Sequence, residues 1–212
     1  MNDVLLLLAR RNDIPADKFE AEIAAATADI PNRQLAFLMS ADALPALAHV
    51  SKPDPALPDA ILTLGDTPEP ALLSALAPLI DPARSELLVA KRHAVLPGDD
   101  AIRLVFGLRR LERLTLAAFH DYWLNRHAEI GRRLIPPYTY HQLHADPAQT
   151  TPMAAAAGLA PSTFDGMVEV HFPDIDAFVR QLSRPEVAEE ALEDERNFID
   201  HARSIFWAYR TA

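Results

Sequence analysis

The 212-residue sequence contains no cysteine. Disulfide scaffolds, thiolate nucleophiles and Cys-ligated zinc are thereby excluded. Glycine is scarce, with six residues in all, and no G-x-G-x-x-G, P-loop or G-x-S-x-G pattern occurs. A nucleotide cofactor and an α/β-hydrolase mechanism therefore lack support. Basic residues are outnumbered twenty to thirty by acidic ones, for a formal net charge of -10. Neutralising phosphates needs clustered Lys and Arg. The pairs Arg10-Arg11, Arg109-Arg110 and Arg132-Arg133 are scattered, so no nucleic-acid partner is expected. Long apolar runs are also missing. The N-terminal run Val4 to Ala9 has no basic region before it and is too short for a signal-peptide core or a membrane span. It reads as a buried strand in a cytoplasmic protein with no membrane partner.

What is present is an ordinary globular composition, 50% hydrophobic and 24% charged, and a strong self-similarity. Ile80-Asp81-Pro82-Ala83-Arg84-Ser85 recurs as Ile199-Asp200-His201-Ala202-Arg203-Ser204, differing at a single position, and each copy precedes an apolar stretch. The runs ending in Arg10-Arg11 and Arg109-Arg110 also match, each leading to a phenylalanine, Phe19 or Phe119. Pro58-Asp59-Ala60-Ile61 pairs with Phe164-Asp165-Gly166-Met167. Repeats are sought before any other fold assignment, and here they divide the chain into 1–97 and 101–212 with Pro97-Gly98-Asp99-Asp100 as linker.

In the second copy the pattern predicts a strand over 102–108, then a helix over 115–134 that is capped by Thr115 and stopped by Pro136-Pro137. Strands over 138–144 and 167–172, helical segments over 174–197 and a strand over 205–210 follow. The first copy repeats the order with strand 4–10, helix 16–28, strands 33–39 and 59–64, helix 68–79 and strand 86–95. The βαββαβ order is the split βαβ, ferredoxin-like arrangement. A sheet with helices on one face must bury the other. Two fused copies satisfy this by packing their antiparallel sheets into one intramolecular α/β barrel, and a homodimer of such chains is the alternative. The second copy carries extra residues, expected as an Ala/Pro-rich loop over 145–163 and a longer helical region over 183–197. The acidic stretch Glu186 to Glu195 reads as a solvated helix face.

Candidate chemistry concentrates in the second copy. His120, Trp123 and His127 share a helix face, and an imidazole in an apolar setting exchanges protons near neutral pH without a cofactor. The alternative role for His127 is a core or helix-end group bonding a backbone carbonyl. On the strand over 138–144, Tyr138, Tyr140, Gln142 and His144 face one way and Thr139, His141 and Leu143 the other. On the next strand Glu169 and His171 share a face, expected to be the more polar one. Glu169 is a candidate acid/base or orienting partner, or else an ion-paired residue. His141 and His144 point to opposite faces and His120 and His127 lie two turns apart, so no metal site is expected.

Three segments in order carry a resemblance: Phe119-His120-Asp121-Tyr122-Trp123-Leu124-Asn125-Arg126-His127-Ala128, Phe164-Asp165-Gly166-Met167-Val168-Glu169-Val170 and Phe198-Ile199-Asp200. Residues 101–212 resemble the EthD family of the dimeric α/β-barrel superfamily, and the first half resembles a degenerate copy without the Trp or His. The resemblance implies a pocket between sheet and helices. It would hold His127 and Glu169 as catalytic groups and Trp123, Tyr140, His144 and His120 as substrate contacts. Superfamily members include cofactor-free cyclases, dehydratases, isomerases and monooxygenases acting on aromatic or polyketide-like molecules. The expected function is cofactor-independent acid/base chemistry on a small hydrophobic or aromatic molecule. The alternatives are a non-catalytic small-molecule binder and a haem enzyme with His127 or His144 as axial ligand.

Overall fold

A computed structural model describes residues 2–44 and 56–212. Leucine-rich β1 (Asn2–Leu8) is the central strand of the first sheet, flanked by β3 (Ala60–Leu64) and β4 (Glu86–Leu96), with β2 (Gln34–Leu38) beyond β3. The resulting order, β4-β1-β3-β2, recurs in the second half. There β5 (Ile102–Leu108) lies between β8 (Gly166–Phe172) and β9 (Ile205–Thr211), with β6 (Thr139–Ala145) beyond β8. Each half is a ferredoxin-like unit. The second strand of each half pairs antiparallel with the last strand of the other, β2 with β9 and β6 with β4. These two seams close an eight-stranded antiparallel barrel inside one chain, with a short ninth strand, β7 (Ala160–Pro161), parallel to the start of β4.

The helices coat the outside. In the first half these are α1 (Ala16–Thr27) and α2 (Pro70–Leu76). In the second half α3 (Leu116–Tyr122), a π-helical turn (Trp123–His127) and α4 (Ala128–Leu134) form one continuous rod. The Thr115 hydroxyl accepts from the Ala118 N–H at 3.1 Å, as an N-cap should.

The expected loop over 145–163 is instead largely helical, α5 (Pro147–Ala157). Its end signals are local and strong: Asp146 accepts from the Gln149 N–H at 3.1 Å, Pro147 takes the first turn, and Gly158 ends the helix at φ 70° in the left-handed region. The helix docks on β4, where the Thr150 hydroxyl accepts from the Val89 N–H at 3.0 Å. After β8 come α6 (Ile175–Leu182), a second π turn (Val187–Ala191) and α7 (Leu192–Glu195). No helix among the described residues is long and apolar enough to cross a membrane.

The repeated Ile-Asp-x-Ala-Arg-Ser segment has a physical reason. In each half its serine accepts from a backbone N–H at the end of the central strand, Ser85 from Ala9 at 3.0 Å and Ser204 from Arg109 at 2.9 Å. Its aspartate caps the turn, Asp81 onto Ala83 at 3.0 Å and Asp200 onto Ala202 at 3.1 Å. Asp59 and Asp165 accept from the Arg10 and Arg110 N–H groups at 2.8 and 2.9 Å.

Strand pairing sorts every side chain to one of two faces. Tyr140, Gln142 and His144 oppose Val170, Val168 and Gly166 and face the helices. Thr139, His141 and Leu143 oppose His171, Glu169 and Met167 and face the barrel lumen. The lumen is apolar at one end, around Leu7, Ile61, Val105 and Met167, and charged at the other.

Candidate active site

The π turn places Trp123 and His127 on the buried side of the rod, fully and nearly fully enclosed. A π turn inserts an extra residue and leaves backbone groups to be satisfied from outside the helix. Gln142 does so here: its Nε2–H donates to the Trp123 carbonyl at 3.0 Å and to the Tyr140 hydroxyl at 2.8 Å. The Trp123 indole N–H donates to the same hydroxyl at 3.2 Å. Burial raises the Tyr140 phenol well above its ordinary range, outweighing the bonds from Gln142 and Trp123.

His127 meets an unforeseen partner. Its Nδ1–H donates to Asp194 Oδ2 at 2.8 Å, and the Tyr122 hydroxyl donates to the other oxygen of that carboxylate at 2.7 Å. Burial lowers the His127 pKa, opposed by Asp194, so the ring is neutral at neutral pH. With Nδ1 carrying the proton, Nε2 presents a lone pair. An oriented, neutral imidazole of this kind is competent as a general base.

Asp194 belongs to the acidic stretch expected to be a solvated face. The structure corrects that reading, because the stretch folds back over the rod. Glu190 pairs with Arg133, Asp194 turns inward, and Glu195 is pushed up to about 7, first by burial and then by Asp194. Only the Glu-rich outer side is solvated. The signal available in the sequence was Phe198 four residues on, whose ring packs at 5.1 Å from both Tyr122 and His127.

The remaining expected residues divide. His120 and His144 join Trp123 in a stack: His144 lies 4.8 Å from Trp123 at 12° and 4.3 Å from His120, with His93 of the first half at 4.4 Å. His120 donates to the Asp165 carbonyl at 2.7 Å and His144 to Gln142 Oε1 at 3.0 Å. Glu169 is not brought to His127. It lies across the sheet in the lumen, where Arg92 donates to it at 2.7 Å. Burial pushes its pKa up, but His171, Arg92 and Arg103 outweigh burial and hold the carboxyl far below its ordinary range.

All three stacked imidazoles are lowered, chiefly by burial, His144 to about 3. The folded state then binds fewer protons than the unfolded chain between the ordinary value of 6.5 and about 3, so this contribution to stability falls as pH falls through that window. Glu195 acts oppositely, contributing stability below the ordinary carboxylate value that fades as pH rises toward about 7. Replacing His144 by Phe should flatten the acid arm of a melting-temperature profile and leave the arm near neutrality in place. An unchanged acid arm would contradict the assignment.

A haem on His127 or His144 needs a flat slot between helix and sheet. Those layers touch. A Cβ on Gly166 would lie 2.6 Å from the Trp123 ring and one on Gly131 2.5 Å from the Tyr140 ring, and Gln142 bonds directly to the π turn. The residues present do not fit a porphyrin. Among the described residues no group of three or more His, Asp or Glu side chains is placed to hold a metal ion.

Comparison with known proteins agrees with this architecture. Residues 111–202 match the EthD domain family model, a span that includes His127 and Asp194. No curated protein matches the chain. A solved structure of a protein assigned as chlorite dismutase, TA0507, shares 9% identity at a TM-score of 0.55, covering 100% of this chain and 94% of its own. A protein assigned as a monooxygenase from Lactobacillus acidophilus NCFM shares 9% identity at a TM-score of 0.52, over 99% and 92%. A mutant chlorite dismutase from Candidatus Nitrospira defluvii shares 10% at 0.51, over 98% and 90%. At such identities the likeness establishes the barrel fold alone.

Proposed function

We propose that the protein is a cofactor-independent enzyme that moves a proton on a small hydrophobic or aromatic molecule, in a lyase, dehydratase, cyclase or isomerase type of reaction. His127 takes and returns the proton at Nε2, and Asp194, itself held by Tyr122, fixes the ring and stabilises the imidazolium that forms. The His127–Asp194 bond of 2.8 Å carries this reading. The family match supports it by spanning both residues. Trp123, Tyr140, His120 and His144 form a packed aromatic cluster beneath the rod that carries His127, and a setting of this kind suits an aromatic or hydrophobic substrate reaching the His127 ring.

The test is hydrogen–deuterium exchange at the activated C–H of cyclic 1,3-diketones and phenolic ketones, followed by NMR. Wild type should accelerate exchange for at least one such compound, and His127→Ala and Asp194→Asn should each lower that rate by about 10²–10⁴ with the circular dichroism unchanged. Undiminished exchange by His127→Ala would remove the assignment.

The halves 1–97 and 101–212 are read as diverged copies of one unit, of which only the second keeps a site. α1 and the rod match by their buried phenylalanines, Phe19 and Phe119. In that register Ile23 stands at the position of Trp123 and Thr27 at that of His127. The Thr27 hydroxyl is spent on its own helix, donating to the Ile23 carbonyl at 2.8 Å. Because the barrel closes within one chain, both sheets bury their inner faces without a second copy, and the monomer is the proposed working unit.

A further inference from the structure

The two halves share backbone bonds that align them position by position. The Leu76 carbonyl at the end of α2 accepts from the Leu79 and Ile80 N–H groups at 2.9 and 3.2 Å, and the Glu195 carbonyl at the end of α7 accepts from those of Phe198 and Ile199 at 3.0 and 2.7 Å. Ile80 and Ile199 in turn bridge to Arg10 and Arg110 beyond the central strands. Glu195 therefore stands where the first half has Leu76, a core residue that is 1% exposed. His201 likewise stands where the first half has Pro82. A carboxyl at a core-facing position costs stability that a leucine does not.

The sheet beneath differs in the same way. Leu6 pairs with Leu62 on one side and Leu87 on the other, and all three are sealed at 0% exposure. Phe106 pairs identically with Val168 and Phe206, and this trio faces the helices but is only half-buried. The Phe106 and Phe206 rings stack at 4.9 Å and 17°. The helix layer closes over the first sheet and leaves a cleft with a flat aromatic floor over β5, β8 and β9.

We propose that Glu195 is a second proton-transfer group, donating to the carbonyl oxygen of an aromatic ketone seated in this cleft while His127 takes a proton from the adjacent carbon. The proposal rests on the role of His127 given above. Consecutive helical residues lie about 100° apart, so Asp194 reaches His127 and Tyr122 on the rod while Glu195 starts from the position turned toward the sheet. The step balances: the C–H electron pair becomes the C=C bond of an enol, the C=O π pair takes the Glu195 proton, and the reverse step returns both protons. Burial, and then Asp194, push the carboxyl up to about 7, yet its side chain is 20% exposed. It is enclosed by protein, reached by water and protonated below neutrality, as a donor in a cleft requires. His201 Nε2 lies 3.5 Å from Glu195 Oε2 and is 39% exposed, which places a titratable group between the carboxyl and solvent.

The charged and titratable groups around Glu195 are Asp194 and Arg196 on its own segment, His201 on the next turn, Tyr122 and His127 on the rod and Tyr140 on β6; the floor is uncharged. His127, lowered by burial, is a base above its depressed pKa, and Glu195 is an acid below about 7. The exchange rate should therefore be bell-shaped in pH.

Deuterium exchange at the methyl group of hydroxyacetophenone, followed by NMR across pH, tests this. Glu195→Gln should lower the rate about a hundredfold on the acid side of neutrality and abolish the alkaline fall. Glu195→Leu should lose the rate equally while raising the melting temperature at mildly alkaline pH, because it removes a buried charge. A carbon-13 titration of glutamate-labelled protein reads the carboxyl without turnover and should find one group near 7 that is missing from Glu195→Gln. Full rate with the alkaline fall retained in Glu195→Gln, a lower melting temperature in Glu195→Leu, or a Glu195 carboxyl titrating at its ordinary value would each overturn this proposal and leave His127 as base. Undiminished exchange by His127→Ala would instead remove the reading on which it rests.

Discussion

Replacing Glu169 by glutamine should destabilise the protein by about 3–5 kcal/mol, the range for removing one member of a buried ion pair. The carboxylate is 1% exposed and faces two guanidinium groups, hydrogen-bonded to Arg92 at 2.7 Å and 3.8 Å from Arg103. Glutamine keeps the shape but leaves both cations without their shared counter-charge in a medium that solvates them poorly. Urea unfolding of the variant is the measurement, and a loss below about 1 kcal/mol would mean that water reaches these groups. The double change Glu169→Met with Arg103→Met should recover much of the loss, since a well-packed apolar pair commonly equals a buried ionic one. The pH dependence has a definite sign. Because the folded carboxyl titrates far below the ordinary value of 4.5, its contribution is complete above that value and disappears as pH falls below it. The wild type should therefore lose stability in acid more steeply than Glu169→Gln.

Trp123→Ala should cost about 3–5 kcal/mol, as for other large buried aromatics cut to Ala. The indole is fully buried among Phe119, His144 and the bare backbone of Gly166, and it donates to the Tyr140 hydroxyl. Its removal empties the space between rod and sheet and deprives a buried hydroxyl of a donor. The functional consequence is separable. His127 is held by Asp194 and Tyr122 from the other side, so its NMR titration should change less than that of His144, which loses its stacking partner. Equal shifts for the two imidazoles would show that Trp123, rather than Asp194, positions the His127 ring.

The recurring Ile-Asp-x-Ala-Arg-Ser segment was legible because its residues serve local turns: its Ser and Asp bond within a few residues or to the adjoining strand end. Strand faces were legible too, since alternation alone separates His141 from His144. The helix over 147–157 was obscured by its Ala/Pro composition, although Asp146-Pro147 and Gly158 mark its ends.

By itself, then, the chain's order of apolar runs, caps and turns determined the ferredoxin-like alternation of the main strands and helices and which strand residues share a face, because these depend on periodicity over a few neighbours. Only tertiary closure decided that the Glu169 face would be a sealed lumen, that His93 of the first half would stack on His144 of the second, and that Asp194 would reach His127 from sixty-seven residues away. Those contacts depend on how sheets and helices pack across long loops, where burial and pairing partners are chosen by the whole barrel and leave no local periodic trace.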